Sequence, residues 1–284
     1  MECIADVKAT LGEGPVWVAR EQALYWVDIL NPRVFRWSDS DGVRTIAVER
    51  NVCSLLPRTG GGFVGGGHDG LLLIDADFSI EVIGDPEPHL PQNRFNDGKI
   101  DRQGRFWAGT MDRTEQEATG TLHRIDTDLH WHAIDSGYRV TNGPAFSLDG
   151  RVMYHTDSAR QTVYAFTLDD AGNASDRRIH LRFGEGHGYP DGMTIDAEDC
   201  LWIAFWDGWC VRRFAPGGEQ LAELAVPVQR PTSVAFGGPH LDRLFITSAR
   251  RDLLDEELIR QPLAGGTFMC QPGVRGVAEL PFAG

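Results

Sequence analysis

The sequence predicts an all-β chain, a six-bladed β-propeller, on three observations. Glycine (33) and proline (15) are frequent among 284 residues, and long amphipathic helical patterns are scarce. Short apolar stretches punctuated by turn residues run the whole length, the mark of many short strands. One such stretch returns six times: LYWVDI (24–29), GFVGGG (62–67), RFWAGT (105–110), VMYHTD (152–157), LWIAFW (201–206) and LFITSA (244–249).

Aligned on their aromatics (Trp26, Phe63, Trp107, Tyr154, Trp202, Phe245), the copies are 37, 44, 47, 48 and 43 residues apart. Four of these intervals fit a four-stranded sheet with its loops. Turn residues precede four copies: Asp-Arg-Gln-Gly at 101–104, Leu-Asp-Gly at 148–150, Asp-Ala-Glu-Asp at 196–199 and Leu-Asp at 241–242. A small sheet cannot bury both faces alone, so stacked blades explain one aromatic per repeat. The first copy lies near the N-terminus, so N-terminal residues are expected to complete a blade with the C-terminus. The reading is one domain over 1–284. A pair of β-sandwiches is the rival architecture, but it would not space six copies of one strand evenly.

Lys plus Arg is 27 and Asp plus Glu is 41, a net charge of −14. That excludes nucleic acid and anionic membranes as natural partners, since both need a basic surface. The opening MECIADVKATLGEG lacks a basic stretch followed by an apolar run, and nothing approaches the ~18 apolar residues of a membrane span. Five cysteines without a CxxC read as free thiols in a reducing compartment. The expectation is a cytoplasmic protein, monomeric or weakly homo-oligomeric.

Some signals are discounted. Gly60, Gly62 and Gly65 match GxGxxG, but the chain continues as LLLIDADFSIEVI, strand-like, where a dinucleotide site needs a helix. His130 and His132 share a strand face, yet LHWHAID reads as an outer strand with solvated histidines. Residues 255–257, DEE, read as a solvated helix start.

Other polar groups fall at one phase of the repeat. Glu13, Arg94, Asn96, Asn142 and Asp191 precede their aligned aromatics by 13, 13, 11, 12 and 11 residues. Asn-Gly and Asp-Gly are turn signals by themselves, but turns do not explain why all share one phase. Residues at one phase of a propeller converge at one end of its axis. Glu13, Asn142 and Asp191 make an oxygen-only donor set suited to one divalent cation, Ca²⁺, Mg²⁺, Mn²⁺, Fe²⁺ or Zn²⁺. Three protein ligands leave positions for water and substrate, the catalytic pattern.

The chain resembles the SMP-30/gluconolactonase/regucalcin-like family over nearly its whole length. The segments that carry the resemblance are LGEGPVW (11–17), NRFNDGKIDRQGRFWAGTM (93–111), TNGPAFSLDG (141–150), YHTDS (154–158), YPDGMTIDAEDCLWIA (189–204), AFGGPH (235–240) and TSARRDL (247–253). The segments LRFGEGHGYPDGM (181–193) and ARRDLLDEELIRQPLAGGTFMC (249–270) look closest to bacterial pentonolactonases such as xylonolactonase. The resemblance implies a six-bladed propeller with an axial divalent metal and hydrolysis of aldonolactones. It implies Glu13, Asn142 and Asp191 as metal ligands, Arg94 and Asn96 as substrate-hydroxyl contacts, and Glu115, in GTMDRTEQEATG, as a further substrate contact. Asp191 is then the candidate general base, and Asp97 orients Arg94 or the turn. A metal-dependent esterase or organophosphatase, and a non-enzymatic calcium-binding propeller, are the alternatives.

Overall fold

A computed structural model describes residues 1–284. The chain folds into 24 strands, two short 3₁₀ turns and one helix, Asp255–Arg260. All strands lie in six four-stranded sheets, the blades of an all-β six-bladed β-propeller. Two compact units divide the chain.

One unit comprises Met1–Ala47 and Phe183–Glu279. Its first blade is Gly12–Val18, Ala23–Asp28, Arg33–Ser38 and Gly42–Ala47. Its fifth is Tyr189–Ile195, Leu201–Trp206, Cys210–Phe214 and Gln220–Ala225. The sixth pairs Pro231–Gly237, Arg243–Ser248 and Thr267–Cys270 with the N-terminal strand Glu2–Ala5. Cys3 opposes Phe268 in that last, antiparallel pair, so the expected blade built from both ends of the chain is present.

The other unit comprises Val48–Arg182 and Leu280–Gly284. Its second blade is Val52–Pro57, Phe63–Gly67, Leu71–Ile74 and Ile80–Gly84. The third is Asn93–Ile100, Phe106–Asp112, Gly120–Ile125 and Trp131–Tyr138. The fourth is Thr141–Phe146, Val152–Asp157, Thr162–Leu168 and Ala174–Arg182.

Burial grades across each blade. First and second strands are buried almost throughout, which is why they read as continuous apolar runs rather than alternating ones. Fourth strands such as Gly42–Ala47 and Gln220–Ala225 are largely exposed. Within each unit, a second-strand aromatic packs on a first-strand aromatic of the next blade. Trp107 meets Phe146 at 5.8 Å between ring centroids, Trp202 meets Phe236 at 5.9 Å, and Phe245 meets Trp17 at 5.7 Å.

The pairing corrects the aromatic alignment. Leu24, Gly65, Trp107, Met153, Trp202 and Phe245 are equivalent, each opposite the second residue beyond an irregularity in the first strand. Trp26, Phe63 and Tyr154 stand one or two places away, so the true intervals are 41, 42, 46, 49 and 43. Tryptophan, phenylalanine, leucine, methionine and, in the second blade, glycine occupy this place, so aromatic identity alone does not mark it.

The turn between first and second strands is closed by a buried aspartate in two blades. Asp101 accepts from the backbone N–H of Gln103 (2.9 Å) and Arg105 (3.0 Å), and from Trp107 Nε1 (2.8 Å). Asp196 accepts likewise from Glu198 (2.9 Å), Cys200 (3.0 Å) and Trp202 Nε1 (2.9 Å). Each aspartate thus fixes both the turn and the indole that packs on the next blade.

All five cysteines are free. His130 and His132 are exposed and bound separately, to Asp128 and Asp126. Residues 255–257 open the exposed helix. No helix is long and apolar enough to cross a membrane.

Candidate functional site

Every first strand carries a break in register near its start. In five blades two residues oppose one: Gly14–Pro15, Asn96–Asp97, Gly143–Pro144, Asp191–Gly192 and Thr232–Ser233. In the second blade Cys53 takes this place. A bulge of this kind re-aims side chains and ends regular pairing, and it recurs beside active sites. Glu13 and Asn142 are the last paired residues before their bulges, and Asn96 and Asp191 are the first residues within theirs. For these four residues the common phase read from the sequence is this bulge, to within one residue, and Arg94 stands two residues before the third-blade bulge.

In the unit holding blades two to four, three of the expected residues touch. Arg94 Nη1 donates to Asn96 Oδ1 at 2.6 Å and to the Phe95 carbonyl at 2.8 Å. Asn96 Nδ2 donates to the Thr141 carbonyl at 2.7 Å and to Asn142 Oδ1 at 3.2 Å. Asn142 Nδ2 donates to Ser158 Oγ at 2.9 Å. Arg94, Asn96 and Asn142 are all buried. Ser158 thus engages the amide nitrogen of Asn142 and turns its oxygen toward Asn96. Asp97 accepts from Gly98 N–H at 2.8 Å and from Gly143 N–H at 3.0 Å, so it fixes the turn and the neighbouring strand beside Asn142.

Close strand approach makes these contacts possible. A Cβ on Gly109, opposite the third-blade bulge, would lie 2.4 Å from Thr141 Cβ, so only glycine lets Asn142 come beside Asn96. Gly66 does the same for Phe95, whose Cβ would sit 2.5 Å from the added atom. The glycines of GFVGGG therefore serve packing.

In the unit holding blades five, six and one, Glu13 and Asp191 are both buried. Glu13 Oε2 accepts from Gly14 N–H at 3.0 Å. Thr232 Oγ1, in the sixth-blade bulge, donates to the Gly12 carbonyl at 2.5 Å and so holds the strand that carries Glu13. Gly192 beside Asp191 lies against the sixth blade, where a Cβ would be 2.1 Å from Ser233 Oγ.

Glu115 is not part of a first strand. It is half-buried in the turn after Phe106–Asp112, with φ of 60°, and its carbonyl accepts from Arg139 Nε at 2.7 Å. Ser158 and Cys53 were not singled out from the sequence. Ser158 sits in YHTDS, where a serine reads as turn punctuation, and Cys53 reads as a core thiol. The common bulge is the signal that finds Cys53.

The chain is a β-propeller whose first strands present polar groups at a shared bulge. It belongs to the SMP-30/gluconolactonase/LRE-like family, whose model matches residues 11–250. It is 38% identical to the 6-deoxy-6-sulfogluconolactonase of Pseudomonas putida, over 100% of this chain and 99% of that protein. It is 35% identical to regucalcin of Homo sapiens, over 100% of this chain and 98% of that one. A solved calcium-binding protein, regucalcin from Agrobacterium tumefaciens, superposes with a TM-score of 0.94 at 27% identity, covering 99% of this chain and 96% of that one.

Proposed function

We propose that this chain, working as one propeller domain, is a sugar lactonase that uses one divalent metal ion to hydrolyse aldonolactones to their sugar acids. The observation that carries this reading is the buried run Arg94–Asn96–Asn142–Ser158, a line of amide and guanidinium groups crossing from one blade to the next. Such donors and acceptors suit a polyhydroxylated ring. The P. putida relative, named as a lactonase and matched end to end, supports the substrate class.

Glu13, Asn142 and Asp191 are the proposed metal ligands. The donor set fits a hard or borderline divalent cation: two carboxylates balance its charge and an amide oxygen completes the set. Asn142 fits the requirement, because Ser158 engages its nitrogen and its oxygen, which accepts from Asn96, has a second lone pair for a cation. A cation held there would polarise the lactone carbonyl. Arg94 and Asn96 hold ring hydroxyls and fix the carbonyl carbon for attack. Asp191 takes a proton from the attacking water, and the ring oxygen leaves as an alcohol. The network already links Asn96 to Asn142, so a hydroxyl held by Asn96 would be placed relative to a ligand of the cation. Glu115, in the turn after Phe106–Asp112, remains a candidate substrate contact.

The test is metal-stripped protein reloaded with each of Ca²⁺, Mg²⁺, Mn²⁺, Fe²⁺ and Zn²⁺ and assayed by acid release on glucono-, galactono-, xylono- and arabinonolactone. Activity restored by at least one ion on at least one lactone is expected. Metal binding without hydrolysis of any lactone would favour the calcium-binding alternative.

A further inference from the structure

We propose that Arg94 and Arg113 form an anion subsite, and that the lactone this site takes carries a negatively charged substituent. The proposal rests on the lactonase reading for the word lactone, but the subsite stands on its own geometry.

Arg94 is paired directly with Met111 on the neighbouring strand, and Arg113 N–H continues that ladder to the Gln92 carbonyl at 3.0 Å. Directly paired residues share a face, and so do residues two apart. Arg94 and Arg113 are therefore diagonal neighbours on one face of the third blade, within reach of two long side chains. Both turn toward the second blade. Arg94 Nη1 lies 4.0 Å from Cys53 Sγ, and Arg113 Nη2 donates to the His68 carbonyl at 2.7 Å.

Neither guanidinium is paired with a carboxylate. The partners of Arg94 are a carbonyl, an amide oxygen and a thiol, and that of Arg113 is a carbonyl. Three other arginines of the same unit are neutralised, Arg105 by Asp101, Arg124 by Asp126 and Arg160 by Asp157, while Arg102 and Arg139 donate to carbonyls but do not stand beside a second arginine on one strand face. The nearby acids are committed. Asp69 is held by Arg50 at 3.1 Å, and Asp112 accepts from Thr114, Gln116 and Glu117 of its own turn. Acids are plentiful in this chain, 41 against 27 bases, so two adjacent arginines without one are not explained by scarcity. Arg94 is only 5% exposed, and a buried charge without a counter-charge is unfavourable. A second cation beside it adds repulsion. Burial pushes the Cys53 thiol up to about 11, while Arg94 and Arg113 both pull it down, so the fields of the two cations overlap at the bulge of the second blade.

A ring hydroxyl held by one N–H of Arg94 leaves both positive charges unbalanced, so the remaining guanidinium donors suit an anionic group on the same ligand. A carboxylate, sulfonate or phosphate offers planar or forked oxygens that match guanidinium geometry. Arg113 is exposed and Arg94 buried, so the substituent would be gripped from the rim and from within.

The test compares a neutral aldonolactone with the same ring bearing a terminal carboxylate, sulfonate or phosphate. Metal-loaded protein should favour a charged lactone by about tenfold or more in kcat/KM, carried in KM, with the preference shrinking as salt rises. The three charged substrates read which anion fits best. Arg113→Gln should collapse the preference to within about threefold, and Arg113→Lys should keep part of it. Equal efficiency on neutral and charged lactones by the parent protein would overturn the subsite and leave the lactonase reading intact. If no lactone is hydrolysed, calorimetry with the open-chain diacid decides. Binding weakened about tenfold or more by Arg113→Gln supports the subsite, and no binding at millimolar concentrations overturns it.

Discussion

As the proposed metal ligand, Asn142 would bind only through its oxygen, and Ser158, which accepts from its amide nitrogen, would decide which end of the amide faces the ion. Ser158→Ala should therefore weaken metal binding by about 10–100-fold, the usual effect of losing a group that orients a ligand. Ser158→Thr, which keeps the hydroxyl, should restore most of it, with calorimetric metal titration as the check. The proposed chemistry separates by residue as well. Asp191→Asn keeps an oxygen but cannot take a proton, and should cost about 10²–10⁴ in kcat at saturating metal. Asn96→Ala removes hydrogen bonds of about 0.5–1.5 kcal/mol each and should raise KM by roughly tenfold. An Asp191→Asn enzyme within a few-fold of the parent kcat would remove Asp191 from the chemistry. Asn96 and Asn142 were legible because a polar residue at a fixed spacing stands out against a buried strand. Ser158 was not, because its role depends on a contact sixteen positions away in sequence.

At the scale of the element, the bulge explains the common phase that the sequence showed, and the second strand explains where it misled. Aromatics occupy more than one position of that buried strand, so Trp26 and Tyr154, two and one places beyond Leu24 and Met153, seemed equivalent to Trp107 and are not. The aspartate turns were visible only as turns. Their second task, holding an indole against the next blade, needs the folded chain. Asp196 is fully buried and accepts from Trp202 Nε1 and from Arg213 Nε at 2.8 Å. Asp196→Ala would orphan both donors, so a loss of about 3–5 kcal/mol is expected, read as a drop in thermal midpoint. A midpoint within a degree or two of the parent would show that the turn does not anchor the indole. Glu87 gives a pH signature. Burial pushes its pKa up, but hydrogen bonds from His123 and Asn93 outweigh this and hold it at about 2, against an ordinary 4.5. A depressed carboxyl stabilises the fold fully above its unfolded pKa and loses that contribution as pH falls through the folded one. Stability should fall between about pH 4.5 and about 2, and Glu87→Gln should flatten that slope in acid-denaturation scans.

For the whole molecule, blade number and the blade shared by the two chain ends followed from spacing alone, because six stacked sheets demand six similar strands. The paired arginines did not follow, because Arg113 reads as an ordinary loop cation until the ladder places it diagonal to Arg94. The central claim is that groups at the first-strand bulges act together on one divalent ion. The measurement that tests it most directly is a metal titration of the stripped chain and of Glu13→Gln, Asn142→Ala and Asp191→Asn, with lactone hydrolysis followed on the same samples. The account predicts one ion per parent chain, weaker binding in every variant, and hydrolysis that tracks occupancy in the parent. Full stoichiometry and unchanged affinity in all three variants would contradict it.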